Sequence, residues 1–289
     1  MIQGARRFVC SVDGIPLAVT QAGEGPAVLL LHGLASSHEV WAPTQALLSR
    51  THRVIAFDLP GHGESAKPTA PYTIDFFAGI TRSLGRALGI DEAIVCGNSL
   101  GGQIALELAR SYPRFVRALV LGAPAGNFLA GLSVLGPMLG RVPGEVLRMT
   151  LPLATRRSFH DPTCTGLRER LRLIEARFEA PDYDAFARAV AASLAGALAA
   201  GVGSLADVLQ PVQLVWGRED RLVRLARSRR YLEELPHARL AVLEGCGHVP
   251  MLERPTEFHT LVAEFLRTAD AAPRLARAAR AGGAAGAGG

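Results

Sequence analysis

Along most of this chain, segments with the apolar pattern of strands alternate with segments in which apolar residues have helical spacing. Short runs of apolar and β-branched residues predict strands, which we place at 8–12, 17–22, 27–31, 53–57, 93–96, 118–122, 212–216 and 239–243. Stretches with helical spacing of apolar residues predict helices at 40–50, 73–88, 100–112 and 256–267. Strands that alternate with helices are typical of a mostly parallel sheet flanked by helices, so we expect the α/β fold class.

One long segment, residues 123–209, interrupts this alternation. It contains Gly and Pro breaks followed by helical patterns at 167–178 and 183–198, and the strand pattern resumes only at residue 212. We therefore interpret 123–209 as a helical cap inserted into a core formed by residues 1–122 and 210–268. Residues 269–289 are mostly Ala, Gly and Arg with little to bury, which predicts a disordered tail.

Composition and charge narrow the class of protein. The chain has 289 residues, 49% of them hydrophobic and 20% charged, which fits a globular protein with a substantial core. The net charge is +5, but the basic residues are scattered and Lys67 is the only lysine, so we expect no nucleic-acid partner. The apolar runs are too short to cross a bilayer, and no apolar segment follows the arginines at 6 and 7. We expect a cytoplasmic protein with no membrane partner.

The four cysteines are far apart and none has the spacing of a metal-ligating pair. We therefore expect reduced thiols, with no metal site and no disulfide framework.

The first candidate for chemistry is Ser99, in the sequence GNSLG at 97–101. This matches the G-x-S-x-G pattern and lies between a predicted strand and a predicted helix, which is the context that a nucleophile elbow requires. The flanking glycines allow strand and helix to pass closely at a strained turn, and the turn exposes the serine hydroxyl at a helix N-terminus. These features predict that Ser99 is a nucleophile.

A second motif, the sequence HGL at 32–34, follows the predicted strand 27–31. A turn in this position can direct a backbone N–H at a substrate oxygen, so we assign the oxyanion hole to the N–H groups of Leu34 and Leu100. His32 itself is interpreted as a structural turn residue. The segment DLPGHGES at 58–65 is a dense Gly/Pro turn and is interpreted as structural support.

A serine nucleophile needs a general base, and His248 is the best placed of eight histidines. It follows the predicted strand 239–243 and a glycine-containing turn, so it should lie at the same sheet edge as Ser99. The acid that orients the histidine should follow the preceding strand, where Glu219 and Asp220 are both candidates. Either acid gives the chain order serine, acid, histidine.

These blocks together resemble the α/β-hydrolase superfamily over roughly residues 8–267. LHG, DLPGHGES, GNSLGG, WGREDRLV and GCGHVPMLERP each resemble a block of that family and occur in the family order. The resemblance implies that Asp220 is the triad acid and that a cap follows the sixth strand. It also implies a monomeric or homodimeric, cofactor-free hydrolase that acts on a small-molecule substrate through an acyl-enzyme.

Within the superfamily, the serine at the elbow argues against haloalkane dehalogenases and epoxide hydrolases, which have aspartate there. The motifs resemble the meta-cleavage product hydrolases, which break a C–C bond and hold the substrate carboxylate with a cap arginine. Arg177 occupies about that position, with a solvated helix arginine as the alternative. The loop GLASSH and Val249 depart from that subfamily. We therefore expect hydrolysis of a small or medium-sized carboxylic ester, with C–C cleavage as the alternative and a non-catalytic binding protein as a third hypothesis.

Overall fold

A mixed sheet of eight strands forms the centre of the protein. The computed structural model describes residues 4–126, 142–200 and 204–271. The strands are β1 (Arg6–Val12), β2 (Ile15–Ala22), β3 (Ala27–Leu31), β4 (Arg53–Phe57), β5 (Ala93–Asn98), β6 (Val116–Gly122), β7 (Val212–Gly217) and β8 (Ala238–Leu243). Their order across the sheet is β1-β2-β4-β3-β5-β6-β7-β8. The strand β2 runs antiparallel to β1 and β4, and all other neighbours are parallel, which confirms the predicted fold class.

Helices cover both faces of this sheet. In the first part of the chain these are α1 (Ala42–Leu48), α2 (Ile74–Ala87) and α3 (Leu100–Ser111), with a 3₁₀ turn at His38–Trp41. The last part adds α7 (Ser228–Glu234), α8 (Pro250–Glu253) and α9 (Pro255–Ala271), with a 3₁₀ turn at Leu225–Arg227. Side chains of β3 alternate between the faces: Leu29 and Leu31 pack in one apolar core, and Val28 and Leu30 pack in the other. Among the described residues, no helix is long and apolar enough to cross a membrane.

Among its described residues, the chain between β6 and β7 contains three helices joined by loops, and no strand. It forms α4 (Gly144–Ser158), α5 (Thr165–Phe178) and α6 (Tyr183–Ala200). These helices share a third apolar cluster, which contains Leu151, Ile174 and Phe186 and reaches Ala35 of the core. The predicted helices at 167–178 and 183–198 are present, but α4 has no counterpart among our predictions. Residues 127–141 and 201–203 of the proposed cap lie outside the described residues.

The helix α9 continues three residues beyond the predicted boundary between core and tail. Arg117 donates from Nη2 to the carbonyl oxygens of Ala269 at 2.9 Å and Asp270 at 2.7 Å. His52 Nε2 lies 3.0 Å from a carboxylate oxygen of Asp270, and the Ala269 side chain is buried. These contacts hold the end of α9 on the core, so the helix extends past the predicted start of the tail at residue 269. The predicted disorder of residues 272–289 lies outside the described residues.

Truncation after Arg267 is expected to lower the free energy of unfolding by about 2 kcal/mol, because it removes charge-assisted hydrogen bonds of Arg117 and the burial of Ala269. Truncation after Ala271 retains these contacts and serves as the control. Thermal unfolding of both truncated forms tests this, with a shift of roughly 4–8 °C expected for the shorter form only. Equal melting temperatures would show that the end of α9 contributes nothing.

Candidate active site

The turn between β5 and α3 places Ser99 at the carboxyl edge of the sheet. Ser99 has φ 55° and ψ −117°, a conformation that is strained for any residue with a side chain. A Cβ at Gly97 would lie 2.3 Å from the carbonyl oxygen of Gly101, and one at Gly101 would lie 2.2 Å from that of Leu31. The glycines of the motif are thus required by close backbone contacts. They hold the half-buried serine at the start of α3, where it lines a cavity.

His248 and Asp220 are joined by a short hydrogen bond between Nδ1 of the ring and Oδ2 of the carboxylate, at 2.7 Å. Both residues are buried. The other oxygen of Asp220 accepts hydrogen bonds from the backbone N–H groups of Leu222 and Val223, each at 2.8 Å. Because Asp220 holds Nδ1, the second ring nitrogen, Nε2, remains available as a base.

The alternative acid, Glu219, has a different contact. One of its carboxylate oxygens accepts a hydrogen bond from the backbone N–H of Cys246 at 2.9 Å. The carboxylate therefore supports the loop before His248, while Asp220 contacts the ring. This geometry favours Asp220 as the residue that orients the histidine.

The main chain of His248 is fixed on both sides. Its N–H donates to the carbonyl oxygen of Ser158 at 2.7 Å, and its carbonyl oxygen accepts from Nδ2 of Asn98 at 3.1 Å. The same Nδ2 donates to the carbonyl oxygen of Gly122 at 3.0 Å. Asn98 precedes Ser99 directly, so one side chain connects the elbow to the histidine loop. Our sequence analysis missed this role, because the pattern leaves that position open.

Ser99 and His248 line one cavity of about 460 Å³. Its walls come from the loop after β3, from α4 and α6, and from the residues that follow Asp220. Most of the lining side chains are apolar; examples are Leu34, Leu147, Leu151, Val190, Leu194, Leu222 and Met251. A cavity of this size and character suits a small or medium-sized ligand with an apolar body.

The predicted oxyanion residues lie on either side of Ser99. A Cβ on Gly33 would come within 3.3 Å of the Ser99 Cβ, so the HGL turn packs directly against the serine. Leu34 lines the cavity, and the next residue, Ala35, has φ 52°. Leu100 is the first residue of α3, where backbone N–H groups have no intrahelical acceptor.

The structure places Arg177 away from this cavity lining. Its Nη1 lies 2.6 Å from Oδ1 of Asp182, and its guanidinium stacks 5.7 Å from the Phe186 ring centroid. Asp182 also pairs with Lys67 at 2.8 Å. Arg177 thus belongs to a network of ion pairs between α5, the following loop and the core.

A different arginine, Arg170, lines the cavity. Its Nη1 donates to the Ser36 hydroxyl at 2.5 Å, and within the described residues it forms no ion pair. Burial lowers the pKa of Arg170 to about 10, because the cation is removed from water without a countercharge. Arg170 is the only Arg, Lys, Asp or Glu among the described residues that line the cavity.

Two buried histidines support the HGL turn from behind. His32 accepts a hydrogen bond from the Leu59 N–H at Nε2, 3.0 Å away, so its proton is on Nδ1, which faces the Gly33 carbonyl at 2.8 Å. His62 contacts the Pro60 carbonyl through Nδ1 at 3.0 Å, while its Nε2 has no partner. Burial lowers the pKa of His32 to about 3 and that of His62 to about 4, so both rings are neutral.

The lowered pKa values of His32 and His62 predict a loss of stability in acid. Below the ordinary histidine pKa of 6.5, the unfolded chain binds protons at His32 and His62 that the folded chain excludes. Stability should therefore decrease as pH falls, with a limit of about 1.4 kcal/mol per pH unit for each histidine. From pH 6.5 to 5.5 we expect the free energy of unfolding in urea to decrease by about 2 kcal/mol.

Two variants separate this effect from general acid denaturation. His62→Phe removes one titrating group from surroundings that already include Phe77 and Phe186, so it should halve the decrease. Replacement of the exposed His237 by Gln should leave the decrease unchanged. His38 contributes to stability with the opposite sign. Burial lowers its pKa, but the hydrogen bond and charge of Asp58 outweigh burial and raise the pKa above 6.5. The stability that His38 contributes is therefore lost mainly above pH 6.5. An unchanged slope in His62→Phe would contradict the assignment.

Comparisons with known proteins agree with the observed fold. The family model for the alpha/beta hydrolase fold matches residues 26–255. The chain is 34% identical to a pimeloyl-[acyl-carrier protein] methyl ester esterase of Aromatoleum aromaticum, over 84% of this chain and 98% of that protein. It is 30% identical to a 2-hydroxymuconate semialdehyde hydrolase of Pseudomonas sp. (strain CF600), over 90% of this chain and 93% of the relative.

A solved structure also superposes on this fold. The meta-cleavage product hydrolase from Pseudomonas fluorescens IP01 superposes with a TM-score of 0.75 and 27% identity, and the match covers 91% of this chain and 98% of that one. The sheet order, the strained serine at the end of β5 and the family match over most of the chain lead to one conclusion. This chain belongs to the α/β-hydrolase family and, like these relatives, is a hydrolase.

Proposed function

We propose that this protein is a serine hydrolase that cleaves a small or medium-sized carboxylic ester through an acyl-enzyme. The observation that carries the proposal is the 2.7 Å hydrogen bond between His248 and Asp220 in a cavity that Ser99 also lines. A histidine held in one tautomer beside a strained, accessible serine is the arrangement that activates a hydroxyl for attack.

In the proposed mechanism, Ser99 Oγ attacks the ester carbonyl carbon and its proton passes to His248 Nε2. The backbone N–H groups of Leu34 and Leu100 would stabilise the oxyanion, and donors of this kind contribute about 3 kcal/mol each. The C–O bond to the alcohol then breaks, and His248 returns the proton to the departing oxygen. Water activated by the same histidine hydrolyses the acyl-enzyme, and Asp220 stabilises the imidazolium in both halves of the reaction.

We propose that α4, α5 and α6 act as a cap that closes this site from one side. Leu147 and Leu151 of α4 and Val190 of α6 line the cavity, so the helices between β6 and β7 set its shape. The apolar character of these walls supports a substrate whose acyl or alcohol part is apolar.

The direct test is labelling with a fluorophosphonate, which reacts with activated serines. Mass spectrometry of the labelled protein should place the adduct on Ser99, and p-nitrophenyl esters of graded chain length should be hydrolysed. Labelling at another serine, or no labelling of folded protein, would refute the proposed nucleophile.

Arg170 favours a second candidate, a C–C bond hydrolase for substrates that carry a carboxylate. An arginine with no countercharge in an apolar cavity is a suitable partner for such an anion. One relative is named a 2-hydroxymuconate semialdehyde hydrolase. A parallel assay with p-nitrophenyl esters and a coloured meta-cleavage dienoate separates the two candidates. The better substrate by kcat/KM identifies the reaction that the site favours.

A further inference from the structure

The carboxylate of Glu253, in the short helix α8, joins two separate segments of backbone. Its Oε1 accepts a hydrogen bond from the N–H of Gly247 at 2.6 Å, and its Oε2 accepts one from the N–H of His160 at 2.8 Å. Gly247 immediately precedes His248, and His160 follows the end of α4. The side chain is half-buried, and burial raises the pKa of the carboxyl above its ordinary value. The two backbone donors offset the desolvation of this carboxylate only in part.

The two segments that Glu253 joins also contact each other. The N–H of His248 donates to the carbonyl oxygen of Ser158 at 2.7 Å. A Cβ on Gly247 would lie 2.5 Å from that same oxygen and 2.8 Å from the His160 nitrogen, so there is no space for a side chain between them. The loop that carries His248 is thus packed directly on the end of α4.

The helix α4 is also a wall of the cavity. Leu151, Ala154, Thr155 and Ser158 all line it, and they cover the last two turns of the helix. A substrate in the cavity would press on these turns. The backbone of His248 contacts the end of these turns at Ser158, and Glu253 joins Gly247 to His160, two residues after Ser158.

We infer that Glu253 is a positioning residue for the general base, which ties the loop of His248 to the helix that bounds the substrate cavity. The inference rests on the proposed function, because it takes His248 as the general base. It assigns no chemistry to Glu253 itself. The carboxylate touches neither Ser99 nor the ring of His248 in the contacts described above. It acts by fixing the backbone on which His248 stands, and a small misplacement of a catalytic group has a large effect on rate.

Glu253→Gln is the sharpest test, because it keeps the size of the side chain and changes one acceptor into a donor. The amide oxygen can still accept from one N–H group, but the NH₂ group faces the other N–H and that hydrogen bond is lost. We expect kcat and the rate constant for fluorophosphonate labelling of Ser99 to fall roughly 10- to 100-fold, with a smaller change in KM. Glu253→Asp keeps the charge but is too short to reach both donors, and it should show the same pattern.

Glu244→Gln is the matched control. Glu244 lies in the same loop, but its carboxylate is exposed and pairs with Arg218. The control should keep the wild-type labelling rate, and melting temperatures identify variants that are folded at the assay temperature. As a readout specific to position, the Nδ1 proton of His248 should shift in the proton NMR spectrum of Glu253→Gln and not in that of Glu244→Gln.

Three outcomes would overturn the inference. Wild-type labelling rates in folded Glu253→Gln and Glu253→Asp would show that the base needs no such support. Equal losses in Glu244→Gln would show a general effect of charge in the loop. Failure of the wild type to label at Ser99 would instead refute the proposed function and, with it, this role of Glu253.

Discussion

Ser99→Ala is expected to reduce kcat by about 10⁶-fold on every substrate that the wild type hydrolyses, because members of a triad act as a unit. The variant should fold normally. The backbone of Ser99 donates to the carbonyl oxygen of Gly122 at 3.0 Å, and alanine retains that bond and the same strained φ. Steady-state kinetics with p-nitrophenyl esters, together with fluorophosphonate labelling of variant and wild type, measure the loss.

Three further variants sharpen this result. His248→Ala should lose nearly as much activity as Ser99→Ala, and the double variant should lose no more than either alone. Ser99→Gly should be inactive but more stable than Ser99→Ala, because glycine adopts positive φ without strain. Substantial turnover by Ser99→Ala, at a level that contaminating enzyme does not explain, would remove the serine from the mechanism.

The strands of this protein could be predicted closely because their signal is local. The strands at 27–31 and 53–57 have the bounds that the apolar runs predict, since both are buried on two faces and end at polar or turn residues. The helix α4 shows where local signals fail. Pro143 and Gly144 suggested a break, but Pro143 is the N-cap of the helix and Gly144 its first residue. Pro152 lies inside the same helix, and contacts with α5 and α6 outweigh its unfavourable propensity.

The candidate site also contains residues that the sequence could predict and residues that it could not. Ser99, His248 and the two candidate acids follow strand ends, and parallel strands bring their carboxyl ends to one edge, so chain order grouped them. The family resemblance was needed to select Asp220 over Glu219. The arginine of the cavity could not be chosen on this basis. Arg170 and Arg177 are seven residues apart on α5, which places them on the same helical face. Their contacts separate them. Arg170 donates to Ser36, which is distant in sequence, whereas Arg177 forms an ion pair with Asp182.

The roles of Asn98 and Glu253 were also outside the reach of the sequence. Both act on main-chain atoms of residues far along the chain: Asn98 on His248, and Glu253 on His160. Backbone groups are present at every position, so a pattern of side chains does not indicate which of them a polar residue will contact. The packing of the histidine loop against the end of β5 and against the end of α4 brings these donors and acceptors together.

Arg170→Met should distinguish substrates that carry a carboxylate from those that do not. The variant keeps the length of the side chain but removes the only Arg, Lys, Asp or Glu charge among the described residues that line the cavity. A substrate carboxylate in the wild type would pair with the guanidinium, and its loss should cost on the order of 2–4 kcal/mol, or about 30- to 1000-fold in kcat/KM. Neutral p-nitrophenyl esters should be hydrolysed at close to the wild-type rate.

The same substitution should leave the free protein at least as stable as the wild type. Burial without a countercharge lowers the pKa of Arg170 to about 10, so the charged side chain carries a desolvation penalty that methionine avoids. Arg177→Met is the matched control on the same helix, and it should affect neither substrate class because its guanidinium pairs with Asp182. The decisive measurements are kcat/KM for a meta-cleavage dienoate and for a neutral ester, with melting temperatures of both variants. If Arg170→Met keeps full activity on the dienoate, then no substrate carboxylate binds at Arg170, and hydrolysis of neutral esters remains the reaction that fits this cavity.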